Sequence, residues 1–154
     1  MGYLECMLNI VLVEPEIPPN TGNIARLCLA SGARLHLVGP LGFSLDEKAL
    51  RRAGMDYWQE CDVRRWEDLK TLTCSAGEGA RFFYFTTKAA RIYWEERFQD
   101  GDYLVFGRES RGLPESLIRE NFGNCLKIPM RSNARSLNLA TSVGIVVYEA
   151  IRQG

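Results

Sequence analysis

The chain has 154 residues and a mass of 17.4 kDa, with 46% hydrophobic and 25% charged residues. These are the proportions of one globular domain, here 1–154, and they exclude a disordered, collagen-like or coiled-coil chain. Nineteen Lys and Arg balance nineteen Asp and Glu, so no overall basic charge points to a nucleic acid, and any such partner must be met by a local patch. The five cysteines (Cys6, Cys28, Cys61, Cys74, Cys125) are odd in number, widely spaced and accompanied by one histidine, His36. That argues against a disulfide framework and a structural zinc site. Reduced, mostly buried thiols in a reducing compartment are expected. No signal-peptide pattern opens the chain, and position 6 is Cys where a myristoylation signal needs Ser or Thr. The apolar runs fall far short of the roughly 20 residues that span a bilayer. A cytoplasmic soluble protein is expected.

Short apolar runs alternate with helical patterns. Residues 8–13 read as a buried strand broken by Pro15, Pro18 and Pro19. Asn20 and Thr21 then offer caps to a helix that Gly32 stops. A second strand covers 35–38 and ends at Gly39-Pro40, and 46–53 reads as a short helix. In the middle, 66–72 reads as a helix and 74–80 as a small-residue loop. An aromatic strand at 82–85 ends in Thr86-Thr87. Another strand, 103–106, opens into Gly107-Arg108-Glu109-Ser110-Arg111-Gly112. Pro114 starts a helix at 115–121, 126–128 is a last strand closed by Pro129, and a final helix begins near Ser136. Leu139, Val143, Val146, Val147 and Ala150 give that helix one apolar face. The alternation predicts an α/β domain with a mainly parallel sheet covered by helices on both faces, with ligands beyond the carboxyl ends of the strands.

Familiar glycine fingerprints are missing. Gly77 and Gly79 lack a third glycine and a preceding strand, and no phosphate loop or Gly-x-Ser-x-Gly elbow occurs. His36, in a strand, reads as a packing or surface residue. Three loops remain. In the first, Pro15 to Arg26, Asn20 and Arg26 flank a helix start suited to an anion, or Asn20 merely caps the helix while Arg26 is a solvated charge. In the second, Gly107 would let a flat ligand rest on backbone, Glu109 would receive a hydroxyl or amino group and Arg111 would reach a phosphate. The bland alternative is a surface turn with a Glu–Arg pair. In the third, from Ile128 through Arg131, Arg135 and Ser136 to Ala140, Ser136 is also readable as a plain helix cap with Asn138 in the first turn.

Taken in order, the segments Asn20-Thr21-Gly22-Asn23-Ile24-Ala25-Arg26, Phe106 to Pro114, and Ser136-Leu137-Asn138-Leu139-Ala140 resemble the SPOUT class of S-adenosylmethionine-dependent RNA methyltransferases. The likeness is closest to the small TrmL (YibK-like) tRNA 2′-O-methyltransferases and runs from Met7 to Gln153. The resemblance implies a homodimer, a deep C-terminal trefoil knot that forms the cofactor site, and no metal. It implies cofactor contacts at Phe85, Gly107, Ile128, Ser136 and Leu137, with Thr86 and Leu139 nearby. Arg26, Asn20, Glu109 and Asn138 match positions linked to catalysis or its support, as does Ser136, which reads more as a cofactor residue. Position 108 is Arg where relatives can carry Pro.

The reaction so implied is attack by a ribose 2′-oxygen on the sulfonium methyl of S-adenosylmethionine, leaving S-adenosylhomocysteine. The expected substrate is the wobble nucleotide 34 of leucine tRNAs, a cytidine or carboxymethylaminomethyluridine. An arginine stays protonated near neutral pH, so Arg26 is expected to position a phosphate and stabilise the developing alkoxide. Arg51-Arg52, Arg64-Arg65, Arg131 and Arg135 are candidate phosphate contacts. Two rival readings are a non-catalytic RNA-binding dimer of the same fold and a small-molecule α/β enzyme using another nucleotide cofactor.

Overall fold

The structure, a computed structural model, describes residues 7–52 and 58–154. Seven strands are β1 (Asn9–Val13), β2 (Arg34–Val38), β3 (Val63–Trp66), β4 (Phe82–Phe85), β5 (Arg91–Ile92), β6 (Tyr103–Phe106) and β7 (Cys125–Lys127). The helices are α1 (Pro18–Ser31), α2 (Glu47–Arg52), α3 (Leu69–Ala76), α4 (Glu115–Glu120) and α5 (Leu139–Gln153). All strand pairs are parallel, in the order β3-β2-β1-β6-β4-β7-β5. The expected α/β architecture with a parallel sheet is thus what forms.

Alternation along the strands divides the core into two layers. Ile10, Leu12, Leu35, Leu37, Phe83, Phe85, Leu104 and Phe106 face Ile24, Ala25 and Cys28 of α1 and Val143, Val146, Val147 and Ala150 of α5. Val11, Val13, Tyr84 and Val105 face the other way, with Leu72 of α3 and Ile118 of α4. The expected apolar face of α5 is buried at those four positions, and Leu139 is half-buried at its start. From β1 the chain steps outward to β2 and β3, then returns to the far side, where β6 lies between β1 and β4 and β7 lies between β4 and β5. Such a reversal of strand order opens a crevice at the carboxyl ends.

Several sequence-based boundaries move. Helix α1 starts at Pro18, with Ile17 as its N-cap and prolines in the first two positions; Asn20 and Thr21 lie inside its first turn. Proline suits that turn because its missing N–H would have no intrahelical partner there. Gly32 ends α1 as expected, in a left-handed conformation at φ 78°. The expected helix at 66–72 is instead the end of β3 followed by α3, whose N-cap Asp68 accepts the Thr71 N–H. Helix α3 therefore also takes Cys74 to Ala76 from the expected loop. The last strand is Cys125–Lys127, one residue earlier than expected. Helix α5 starts at Leu139 with Asn138 as its cap, so Ser136 is not the capping residue. The expected helix at 46–53 forms as α2, and its last position, Ala53, lies outside the described residues, as does Cys6.

His36 is a packing residue. Its Nδ1 accepts from Trp66 Nε1 at 3.0 Å, which leaves Nε2 to donate to Asn9 Oδ1 at 2.9 Å. Burial, with Arg34 and Arg64 nearby, pulls its pKa down to about 4, so the ring is neutral near pH 7. No described cysteine is in a disulfide. Cys28 and Cys125 are buried, Cys61 is half-buried and Cys74 is exposed, and burial pushes the Cys28 thiol up to about 12. Among the described residues no cluster of His, Cys, Asp or Glu could hold a metal ion, and no helix is long and apolar enough to cross a membrane.

Candidate active site

A cleft of about 610 Å³ opens where β4, β6 and β7 end. Its inner part is apolar. Phe85 and Phe106 stack at 4.6 Å between ring centres, and Leu126, Ile128 and Leu139 line the same cleft. Three of the four proposed catalytic residues, Asn20, Glu109 and Asn138, line it together. So do all seven proposed cofactor residues: Phe85, Thr86, Gly107, Ile128, Ser136, Leu137 and Leu139. Residues from opposite ends of the sequence meet here because β6 and β7 are inserted among earlier strands.

The polar side of the cleft is a closed set of hydrogen bonds. Both oxygens of Glu109 are engaged: Oε1 accepts the Glu16 N–H and Oε2 the Ile17 N–H, each at 2.9 Å. Asn20 Nδ2 also donates to Oε2 at 3.3 Å. Glu16 reciprocates, its Oε1 accepting from the backbone N–H and hydroxyl of Ser110 at 3.0 and 2.8 Å. The Ser110 amide, then its hydroxyl, hold the Glu16 carboxyl below its ordinary pKa, with Arg108 and Arg111 adding to the effect. Asn138 Nδ2 donates to Asn20 Oδ1 at 3.0 Å, while Asn138 Oδ1 accepts the Thr141 N–H and caps α5. The three sequence segments are thereby joined in one chain, Glu109–Asn20–Asn138.

Two residues carry structural tasks of their own. Glu109 accepts the N–H groups of Glu16 and Ile17, the two residues before α1, and so fastens the entry to that helix, whose own N-cap makes no side-chain hydrogen bond. A carboxylate there also complements the helix dipole. Gly107 is required by its own backbone. A Cβ there would sit 2.1 Å from the Gly112 carbonyl carbon and 2.2 Å from the Leu113 nitrogen. The chain turns back on itself so tightly because Arg108 and Gly112 exchange backbone hydrogen bonds at 2.8 and 3.2 Å, with Gly112 at φ 67°.

The arginines divide. Arg108, Arg111 and Arg135 line the cleft, together with Lys88. Arg131 lies in the exposed stretch that follows β7, and its carbonyl accepts the Ala134 N–H. Arg26 is exposed on α1 and is not among the residues lining the cleft. Arg51 and Arg52 end α2. Arg64 and Arg65 lie on β3 at the opposite edge of the sheet, where Arg64 pairs with Asp62 at 3.0 Å. Sequence reasoning missed Glu16 and Ser110, whose partnership joins positions 94 apart and leaves no local pattern.

The SpoU rRNA Methylase family matches residues 7–148. The chain is 50% identical over 148 residues to a tRNA (cytidine(34)-2′-O)-methyltransferase of Escherichia coli (strain K12), covering 96% of this chain and 94% of that protein. A solved structure described under "Structural insights into the 2-OH methylation of C/U34 on tRNA" superposes with a TM-score of 0.89 at 49% identity, covering 96% of each chain. The SpoU methyltransferase AviRb from Streptomyces viridochromogenes, in complex with AdoMet, superposes with a TM-score of 0.77 at 25% identity, covering 96% of this chain and 60% of AviRb. A parallel sheet with a cleft at its reversal, a clamp joining all three segments and a match over nearly the whole length together make this chain a member of the SpoU methylase family.

Proposed function

We propose that this protein transfers a methyl group from S-adenosylmethionine to the 2′-hydroxyl of nucleotide 34 of a tRNA, releasing S-adenosylhomocysteine. The observation that carries the reading is the Glu109–Asn20–Asn138 chain at the mouth of a cleft with an apolar interior. The residues present fit the cofactor. Ile128, Leu137 and Leu139 offer apolar surface for a purine, and Thr86 and Ser136 offer hydroxyls for polar parts. Once bound, the cofactor supplies a methyl made electrophilic by positive sulfur.

What the chain must do is orient and neutralise. The carboxylates of Glu16 and Glu109 are turned inward onto amides and a hydroxyl, and Glu115 is paired with Lys88. Arg108, Arg111 and Arg135 therefore give the mouth a local basic character in a chain of zero net charge. They are the residues for RNA phosphates. Asn20 and Asn138 hold the starts of α1 and α5 against each other, so that a ribose entering the cleft beside them meets a set geometry. Arg26, with its planar guanidinium, is assigned to a phosphate and to the developing alkoxide, with the 2′-hydroxyl proton passing to phosphate or water.

Arg26 shares the exposed side of α1 with Leu29, which is 44% exposed, and Tyr148 of the neighbouring α5 is 47% exposed. An apolar surface on this helix pair supports a homodimer in which Arg26 borders a cleft completed by the second copy. The position of β7 between β4 and β5 supports the knotted C-terminal segment that the family resemblance implies. Within the same reading the substrate is a leucine tRNA carrying cytidine or carboxymethylaminomethyluridine at position 34, and the place of action is the cytoplasm.

The test is transfer of labelled methyl to bulk tRNA from cells lacking this protein, followed by mapping. Label on the ribose of nucleotide 34 is expected. Label on another ribose overturns the position, and no label from folded, dimeric protein overturns the reaction.

A further inference from the structure

A second cavity, of about 320 Å³, lies on the other side of the first turn of α1. Pro18, Pro19, Phe43, Leu50 and Arg52 line it, with Ser44 and Ala49 completing the wall. The two cavities share one helical turn: Ile17 and Asn20 line the large cleft, and the prolines between them line the small one. Nothing in the methyl-transfer machinery uses this pocket.

The pocket is held in place by the backbone. Gly42 N–H donates to the Pro15 carbonyl at 3.0 Å, and a Cβ on Gly42 would come within 3.0 Å of Glu16 Cα. Residues 41–44 are therefore pressed against the segment that Glu109 and Ser110 clamp, which sets Phe43 beside Pro18. On the opposite side Asp46 accepts the Ala49 N–H at 2.8 Å and the Ser44 hydroxyl at 2.7 Å, which starts α2 and places Leu50 and Arg52. With both Asp46 oxygens so occupied, the nearby basic groups are Lys48, Arg51 and Arg52, of which Arg52 also acts on Asp46 through its charge.

Flat apolar surface beside a guanidinium is the combination by which proteins hold an unstacked base and its phosphate in single-stranded RNA. The geometry points to this pocket as the subsite for a nucleobase adjacent to the methylated nucleotide, stacked against Phe43 and the proline turn, with its phosphate on Arg52. The assignment rests on the reading that the large cleft methylates a tRNA ribose. It follows from continuity, since only the Pro18–Pro19 turn separates this pocket from Ile17 and Asn20 in the lining of the large cleft. It makes the first turn of α1 a divider that splays two neighbouring nucleotides apart.

The experiment compares wild type, Phe43→Ala and Arg52→Gln for tRNA binding, S-adenosylmethionine binding and methyl transfer. It uses whole tRNA, intact or lacking the base on either side of nucleotide 34. Phe43→Ala is expected to weaken tRNA binding roughly tenfold and to leave S-adenosylmethionine binding unchanged. Loss of one neighbouring base should weaken the wild type by a similar factor and Phe43→Ala hardly at all. Arg52→Gln should lower the slope of log affinity against log salt by about one. The subsite is overturned if wild type methylates tRNA while both variants bind it as tightly, or if the base and Phe43 losses multiply in full. Wild-type protein that methylates no tRNA overturns the parent reading and this assignment with it.

Discussion

On one side of the cleft, the turn at 108–112 and the entry to α1 are tied by five side-chain hydrogen bonds involving Glu109, Glu16, Asn20 and Ser110. On the other side, residues 131–138 are exposed throughout, and their ties include the Ala134-to-Arg131 backbone bond and, at the very end, the bonds of Asn138 to Asn20, Thr141 and Ser142. The first side arrives in its working geometry, with the cost of orienting polar groups already met during folding. The second offers Ser136 and Leu137, the latter 38% exposed, to whatever enters. Under the proposed function the clamped side is assigned the reacting ribose and the open side the cofactor.

The sharpest way to break the clamped side is Gly107→Ala. A methyl group 2.1 Å from backbone atoms cannot be relieved by a rotamer change, so a loss of about 3 kcal/mol or more in chemical unfolding is expected. Glu109→Ala comes next. It leaves the Glu16 and Ile17 N–H groups without their acceptor, at about 1 kcal/mol of stability, and misplacement of Asn20 should lower kcat roughly 10²-fold while S-adenosylmethionine affinity holds. Leu137→Ala tests the open side and should do the reverse. Thermal unfolding should stay within about 0.5 kcal/mol of wild type, while the S-adenosylmethionine Kd rises roughly tenfold from lost apolar contact. Equal losses of kcat in the Glu109 and Leu137 variants would erase the distinction.

The smallest expected effect is a pH dependence. The Glu16 carboxyl is held below its ordinary 4.5 by Ser110, so its contribution is fully present above pH 4.5 and is lost as pH falls through the lowered folded value. Glu16→Gln should therefore show a lower Tm than wild type at pH 7, and the gap should close as the pH falls below 4.5. A gap that persists unchanged at pH 3 would mean that the charge of Glu16 is irrelevant to the clamp.

Much of the sheet was legible because its strands are buried on both faces. Residues 9–13 are buried at every position, and past Asn9 an unbroken apolar run marks them in the sequence. Strand β3, Val-Arg-Arg-Trp, was not legible: at the sheet edge its two arginines face solvent, and the run lacks the apolar signal on which strand prediction depends. The start of α1 was misplaced for a related reason. Asn20 and Thr21 are strong capping types, yet the N-cap is Ile17, and the chain entering it is held by Glu109, about ninety positions away. The prolines occupy the first turn because they lack the N–H that a cap would satisfy.

The sequence by itself determined the α/β class, the parallel sheet and the three loops at strand ends, while the residue set expected in the cleft came from its resemblance to a known family. Local patterns report burial and turn chemistry, and those loops follow apolar strands. Only the tertiary structure decided what these residues do. It showed Glu109 fastened to the entry of α1 and traced the need for Gly107 to the close approach of the Gly112–Leu113 backbone. It also left Arg26 outside the cleft lining and placed Phe43 and Arg52 across one helical turn from the cleft. Each of these depends on contacts between distant segments, created when β6 and β7 insert between strands formed earlier in the chain, and no local pattern encodes such a contact.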